Sequence, residues 1–493
     1  MRPSTLAQLA VAGNRTDVLR TVLTALSALL ATVAMLCAAT VLSIHGWADR
    51  YTNELLVEPG LRPGVAATLV LVSFPVLALA GQCIRLGAPA RDRRLAAIRL
   101  AGATPREAML IATAETAVAG LLGSLTGLAA YLVARSIVEG RGGPRVLPAD
   151  VLPPAPVIVL LVLLVPLLAA SIGALLMRRV IVTPLGVVRR VRTRGPRPWP
   201  GLMIVAGIVI FGLPLQFGEQ IKVSKNLLYV FLAAGLLLTM AGVVLGVGWI
   251  SHTAGRLLRR YGRGPATLLA GQRLITDPWN GSRTMAALLV AVIAGAVALG
   301  YKALLATTFH YYDLYNRMMA FTDGGIGSPS SPEFYFGAIR LVMVAVGLSA
   351  AVAAAGLLVA LAESIVARRR TYASMTATGV PRRTLSAAIL WQTLTPLIPA
   401  LLLALAAGDA LVRLIRTDFN LGREYANCLA DPPVEGHCVA PAVVQAPTVL
   451  HVPIPWGDLG MLGAGALLAV LVAVGAGTLV LRSSTDLEEL RIG

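Results

Sequence analysis

The sequence predicts an all-α membrane protein with about ten transmembrane helices. Two four-helix units are joined by a two-helix linker, with both termini inside. Three observations predict it. The chain of 493 residues is 57% hydrophobic and 13% charged, with a mean hydropathy of +0.77, more apolar surface than a soluble core buries. Its charges divide by side. And the chain repeats itself.

The apolar runs, in order, are roughly Val18–Ile44, Val65–Cys83, Ala108–Val138, Ala155–Met177, Gly201–Phe217, Leu227–Ile250, Met285–Thr308, Ile339–Ala362, Leu385–Ile415 and Leu459–Leu481. A spanning helix needs about 20 residues, which makes the fifth run the shortest candidate. Pro214 inside it is tolerated in a membrane helix. The first run is too long for the core of a signal peptide and follows a polar stretch, so no removable leader is expected. Leu36 before Cys37 is too large for a lipoprotein cleavage site.

With the N-terminus inside and the spans alternating, the inner side collects most of the 42 Lys and Arg and few of the 24 acids. The outer side is near balance, which is the positive-inside bias. The reverse orientation would place seven arginines and no acid between Arg178 and Arg197 outside. This sidedness accounts for the net charge of +18 and excludes nucleic acid as a partner. The expected surroundings are membrane lipids.

The repeat is carried by two hinges. "RRLAAIRLAGATPREAML" falls on "RTYASMTATGVPRRTLSA" when Gly102 is set on Gly379, an offset of 277. Each copy begins with clustered arginines (Arg91, Arg93, Arg94; Arg368, Arg369, Arg370) and lies between a second and a third span. A further pair sets Arg20 on Arg283, an offset of 263. The expected units are 1–180, a basic loop and two-span linker at 181–262, and 263–493. An even insert leaves the two units in parallel, unlike an inverted-repeat transporter.

The first hinge reads as a short cytoplasmic helix, a glycine able to take positive φ, and a capped restart. Thr104 suits the N-cap, Pro105 the first helical position and Glu107 the first turn. The second hinge, from Gly379 through Pro381, Arg382 and Arg383, lacks the cap and the acid.

Glu115 is the one acid deep in a run, and Gln392 takes the matched place in the other copy. Such groups are functional or hydrogen-bond between helices. Gly120, Gly123, Ser124 and Gly127 form a small-residue stripe suited to close packing. "FHYYDLYNRMMAF" (Phe309–Phe321) reads as an interfacial aromatic belt in an outer loop. Cys428 and Cys438 are candidates for a disulfide on the outer, oxidising side. Beside them, His437 has no second ligand pair, so no metal is expected. A phosphate-binding loop needs Gly-Lys, and none of the three lysines (Lys222, Lys225, Lys302) follows glycine.

"RRLAAIRLAGATPREA" resembles the signature of FtsX-like permeases, the membrane subunits of ABC transporters related to MacB and the lipoprotein-release systems. "AGQRLITDPWNGSRTMAALLVAV" resembles the start of a second such domain in duplicated actinobacterial members. The second hinge has "ATGVP" where the family favours a "LGA"-like run. The resemblance implies that the segment between second and third spans couples to a cytoplasmic ABC ATPase. The coupling residues are then Arg93, Arg94, Arg99, Gly102, Thr104, Pro105 and Arg106, with Arg369, Arg370, Gly379, Pro381, Arg382 and Arg383 in the second copy. Two coupling segments suit two ATPase copies. ATP and magnesium would belong to that partner, and this chain would be neither an enzyme nor a cofactor protein. The implied setting is the bacterial cell membrane. The implied function is export or extraction of an amphiphile, such as a lipid, lipopeptide or antimicrobial peptide. The alternative is a mechanotransmitting signalling module that regulates an envelope hydrolase or a sensor kinase without transport.

Overall fold

The computed structural model describes residues 15–46, 48–52, 54–57, 62–83, 102–139, 147–181, 195–221, 225–319, 332–420 and 449–483. Arg93, Arg94, Arg99, Cys428 and Cys438 lie outside the described residues, as does most of the basic run before Gly195.

The helices are α1 (Arg15–Leu42), the short α2 (Glu54–Val57), α3 (Arg62–Cys83), α4 (Pro105–Glu139), α5 (Ala155–Ile181), α6 (Trp199–Ile221), α7 (Lys225–Tyr261), α8 (Pro265–Thr276), α9 (Trp279–Met319), α10 (Pro332–Ala367), α11 (Arg369–Ala377), α12 (Arg382–Arg413) and α13 (Trp456–Ser483). Two three-residue strands, β1 (Asp418–Asn420) and β2 (Val449–His451), pair antiparallel with Phe419 opposite Leu450. Among the described residues, eight helices are long and apolar enough to cross a membrane: α1, α4, α6, α7, α9, α10, α12 and α13. In α5 the shorter stretch Ala155–Ser171 is apolar. The protein is thus a multi-pass, predominantly helical membrane protein in its described parts.

Two groups of four helices make the same set of neighbours. In the first group α1 touches α3, α4 and α5, while α5 touches α3 and α4. In the second α9 touches α10, α12 and α13, while α13 touches α10 and α12. The groups meet where α3 packs on α10, with Val352 against the cluster holding Val76 and Leu77. In space α6 and α7 join the second group, since Ile204, Met240, Val243 and Val247 share one core with α9, α10 and α12.

Glycines set the closest approaches. A Cβ at Gly123 would run into the Ala25 carbonyl and one at Gly127 would lie 2.9 Å from Leu29 O, so the stripe seats α4 on α1. Gly120 faces Pro166 of α5. Such contacts let dispersion act over backbone as well as side chains, the main attraction available where lipid is as apolar as leucine.

The aromatic stretch after Phe309 is not an outer loop. α9 continues as helix through Met319, 41 residues in all, or about 60 Å at 1.5 Å per residue. That is about twice the hydrocarbon thickness. The rings pack on one another: Phe309 lies 5.5 Å from Tyr335 and 6.0 Å from Phe336 of α10, and Tyr311 lies 5.4 Å from Phe419 of β1. Burial of ring faces carries the helix beyond the apolar run.

Candidate coupling hinges and membrane cavity

Both hinge glycines adopt positive φ, +97° at Gly102 and +92° at Gly379. After Gly102 the chain restarts as a capping box. Thr104 N–H donates to Glu107 Oε2 at 2.8 Å, and Glu107 N–H donates back to Thr104 Oγ1 at 3.3 Å. Two of the first-turn donors are thereby satisfied. The bond from the Thr104 backbone holds the Glu107 carboxyl below its ordinary value. Arg106 is exposed beside it.

The second hinge is built at the end of α11 instead. Gly379 N–H donates to Thr376 O and Val380 N–H to Met375 O, each at 3.0 Å. This is a Schellman ending, with glycine at the position that needs positive φ. Val380 and Met375 both rest on the second core. α12 then starts after Pro381 with no side-chain cap, and Arg382 and Arg383 are exposed. Arg369 and Arg370 lie in the first turn of α11.

Sequence reasoning missed what anchors α11. Tyr372 is 2% exposed. Arg273 of α8 stacks on its ring and donates to its hydroxyl at 2.7 Å. A lone tyrosine inside an otherwise polar, basic segment was the available signal.

Glu115 is half-buried in α4 and engaged in a polar interaction. Gln392 is half-buried in α12.

At the far end of α4 lies a cavity of about 400 Å³. Residues from α1 (Cys37, Thr40), α3 (Leu69, Val72), α4 (Tyr131, Arg135) and α10 (Leu341, Val344) line it, so it lies at the contact between the two groups. Its wall is almost wholly apolar, and Val344 and Leu348 are also exposed on the outside of α10.

Polar contacts brace this end. Arg62, 3% exposed, donates to Ile44 O, Leu56 O and Val57 O at 2.7–2.8 Å, satisfying carbonyls where α1 and α2 end. Arg50 pairs with Asp150 at 2.7 Å, and Tyr51 donates to the same carboxylate at 2.6 Å. Burial pushes the Tyr51 hydroxyl above its usual range. In the second group Lys302 of α9 pairs with Asp458 of α13 at 2.8 Å. A single arginine opening an apolar run was the sequence signal for Arg62.

The fold defines a class first: a helical, multi-pass membrane protein whose second group carries a helix, a glycine hinge and a restart between two spans. Residues 343–485, from α10 to the last helix, match the family model for the FtsX-like permease C-terminal domain, so this part of the chain is similar to an FtsX-like permease domain. The match takes in the second hinge and not the first; it supports the FtsX-like resemblance and indicates a membrane permease component of an ABC-type system. A search of curated proteins finds no significant match.

Proposed function

We propose that the chain is the permease subunit of an ABC transporter that extracts or exports an amphiphile, driven by a partner ATPase. The observation that carries the reading is the cavity between the two groups. With the N-terminus inside, the ends of α1 and α4 and the starts of α3 and α10 lie toward the outer leaflet. An apolar cavity there, bounded by helices that also face lipid, receives an acyl chain without bringing it through water. Among the described residues, Arg135 is the one charged residue in its lining and suits a polar or anionic head. The two hinges would receive the ATPase. Closing of its two copies would draw the hinge segments together and tilt α3 against α10, reshaping the cavity. The two-unit organisation and the ten-span topology are part of this proposal. Their support is the shared neighbour pattern of the two helix groups.

The test is hydrolysis by the complex of permease and ATPase in nanodiscs. Amphiphiles are expected to stimulate it, and Ala345→Trp, which fills the cavity, is expected to remove the stimulation. Stimulation that survives the filled cavity would contradict the reading.

A further inference from the structure

Two hydroxyls stand side by side in the cavity wall. Thr40 Oγ1 and Tyr131 Oη are 2.6 Å apart, and the two residues are 3% and 8% exposed. Their protons follow from counting. A threonine hydroxyl has one proton and two lone pairs. Thr40 Oγ1 lies 2.7 Å from Leu36 O, a separation at which two oxygens repel unless a proton lies between them. The Thr40 proton therefore goes to Leu36 O, and Tyr131 donates its own to Thr40. Thr68, also in the lining, donates to Gly64 O at 2.9 Å.

Among the described residues, the hydroxyls of the wall thus have no proton left to give. They offer lone pairs, and Tyr131 Oη is the oxygen that accepts nothing from Thr40. The Cys37 thiol, a weak donor, also lines the cavity, as does Arg135, one helical turn further along α4. Arg135 Nε donates to Ala149 O.

The second group has no such site. The repeat sets Thr40 on Ala303 and Tyr131 on Gly408. There α12 approaches α9 so closely that a Cβ at Gly408 would lie 2.5 Å from Ala296 Cβ.

We infer that the cavity takes an acyl chain joined to its head through an amide, whose N–H donates to Tyr131 Oη, in preference to the same chain joined through an ester. An ester has acceptors only, and seating it leaves the lone pairs of the buried Tyr131 oxygen without a donor. The inference deepens the proposed function and rests on the cavity being the amphiphile's site.

Two probes test it: a hexadecanoyl chain joined to one fluorophore through an amide, and through an ester. Each is titrated by anisotropy against the full chain in nanodiscs. The amide probe is expected to bind roughly three- to tenfold tighter, the usual worth of one hydrogen bond. Tyr131→Phe is expected to weaken the amide probe alone and erase the difference. Thr40→Val is nearly the same size and removes the acceptor for the Tyr131 proton, which then turns to the cavity. The ester probe is expected to gain, shrinking or reversing the preference, and this variant keeps the assignment testable should Tyr131→Phe misfold. Equal binding of both probes to the wild type, or a preference that survives Tyr131→Phe, overturns the amide selection while leaving the cavity as an amphiphile site. If neither probe binds the wild type, both readings fall.

Discussion

Arg273 lies over the ring of Tyr372, its guanidinium carbon 4.9 Å from the centroid, and donates to the phenol oxygen at 2.7 Å. The contact joins α8 to α11 across 99 residues of sequence. Ring stacking and the charged hydrogen bond act on the same pair, so they are separable by substitution. Tyr372→Phe keeps the ring and loses the bond, for a cost of about 1–2 kcal/mol. Tyr372→Ala also empties a core position, for about 3–5 kcal/mol. Melting temperatures of the purified variants check the order. Equal losses would mean that the hydrogen bond alone holds α11, and no loss in Tyr372→Phe would mean that packing alone does.

The hinge glycines are needed for their backbone angle and not for space. A Cβ at Gly102 or Gly379 would meet nothing within 4 Å, yet positive φ costs an ordinary residue about 1–2 kcal/mol. Val at either position is expected to destabilise by that amount, and Asn by less, because Asn tolerates the left-handed region. Denaturation of the two pairs of variants measures it.

The first hinge is expected to respond to pH. The Glu107 carboxylate has its pKa lowered in the folded protein by the Thr104 backbone bond. A lowered pKa means a contribution fully present above the unfolded value near 4.5, and lost as pH falls through the folded value. The wild type is therefore expected to lose stability below about pH 4.5, relative to Glu107→Gln, whose side chain does not titrate. Melting curves at pH 7 and across the acid range decide it. Thr104→Ala is expected to cost about 1 kcal/mol at neutral pH.

Gly123 tests the seat of α4 on α1. Its Cβ would meet the Ala25 carbonyl, and backbone cannot yield as a flexible side chain does. Gly123→Leu is expected to separate the two helices and cost more than the ~1–3 kcal/mol of ordinary overpacking. Gel filtration and yield report it. A stable, monodisperse variant would contradict the tight seat.

Much of this architecture was legible in the sequence because membrane spans advertise themselves by composition, and hinges by glycine and proline. The Thr104 cap was legible for the same reason, since it needs only residues three apart. Long-range contacts were not. Arg62, Tyr372 and the Thr40–Tyr131 pair each depend on which helix faces which, and an apolar run says little about its neighbours. The helical extension of α9 past Phe309 was missed because its aromatic residues also fit an interfacial belt. The extension packs against Tyr335, Phe336 and Phe419, contacts between elements that no local pattern shows.

Coupling to an ATPase is the central claim, and co-purification tests it most directly. The full chain would be expressed with a candidate ABC ATPase from the same genome and isolated in mild detergent, alongside Gly102→Val and Gly379→Val. The account predicts an ATPase bound at two copies per chain, with weaker coupling of hydrolysis to amphiphile in both variants. A chain that binds no ATPase, with or without nucleotide, would contradict it.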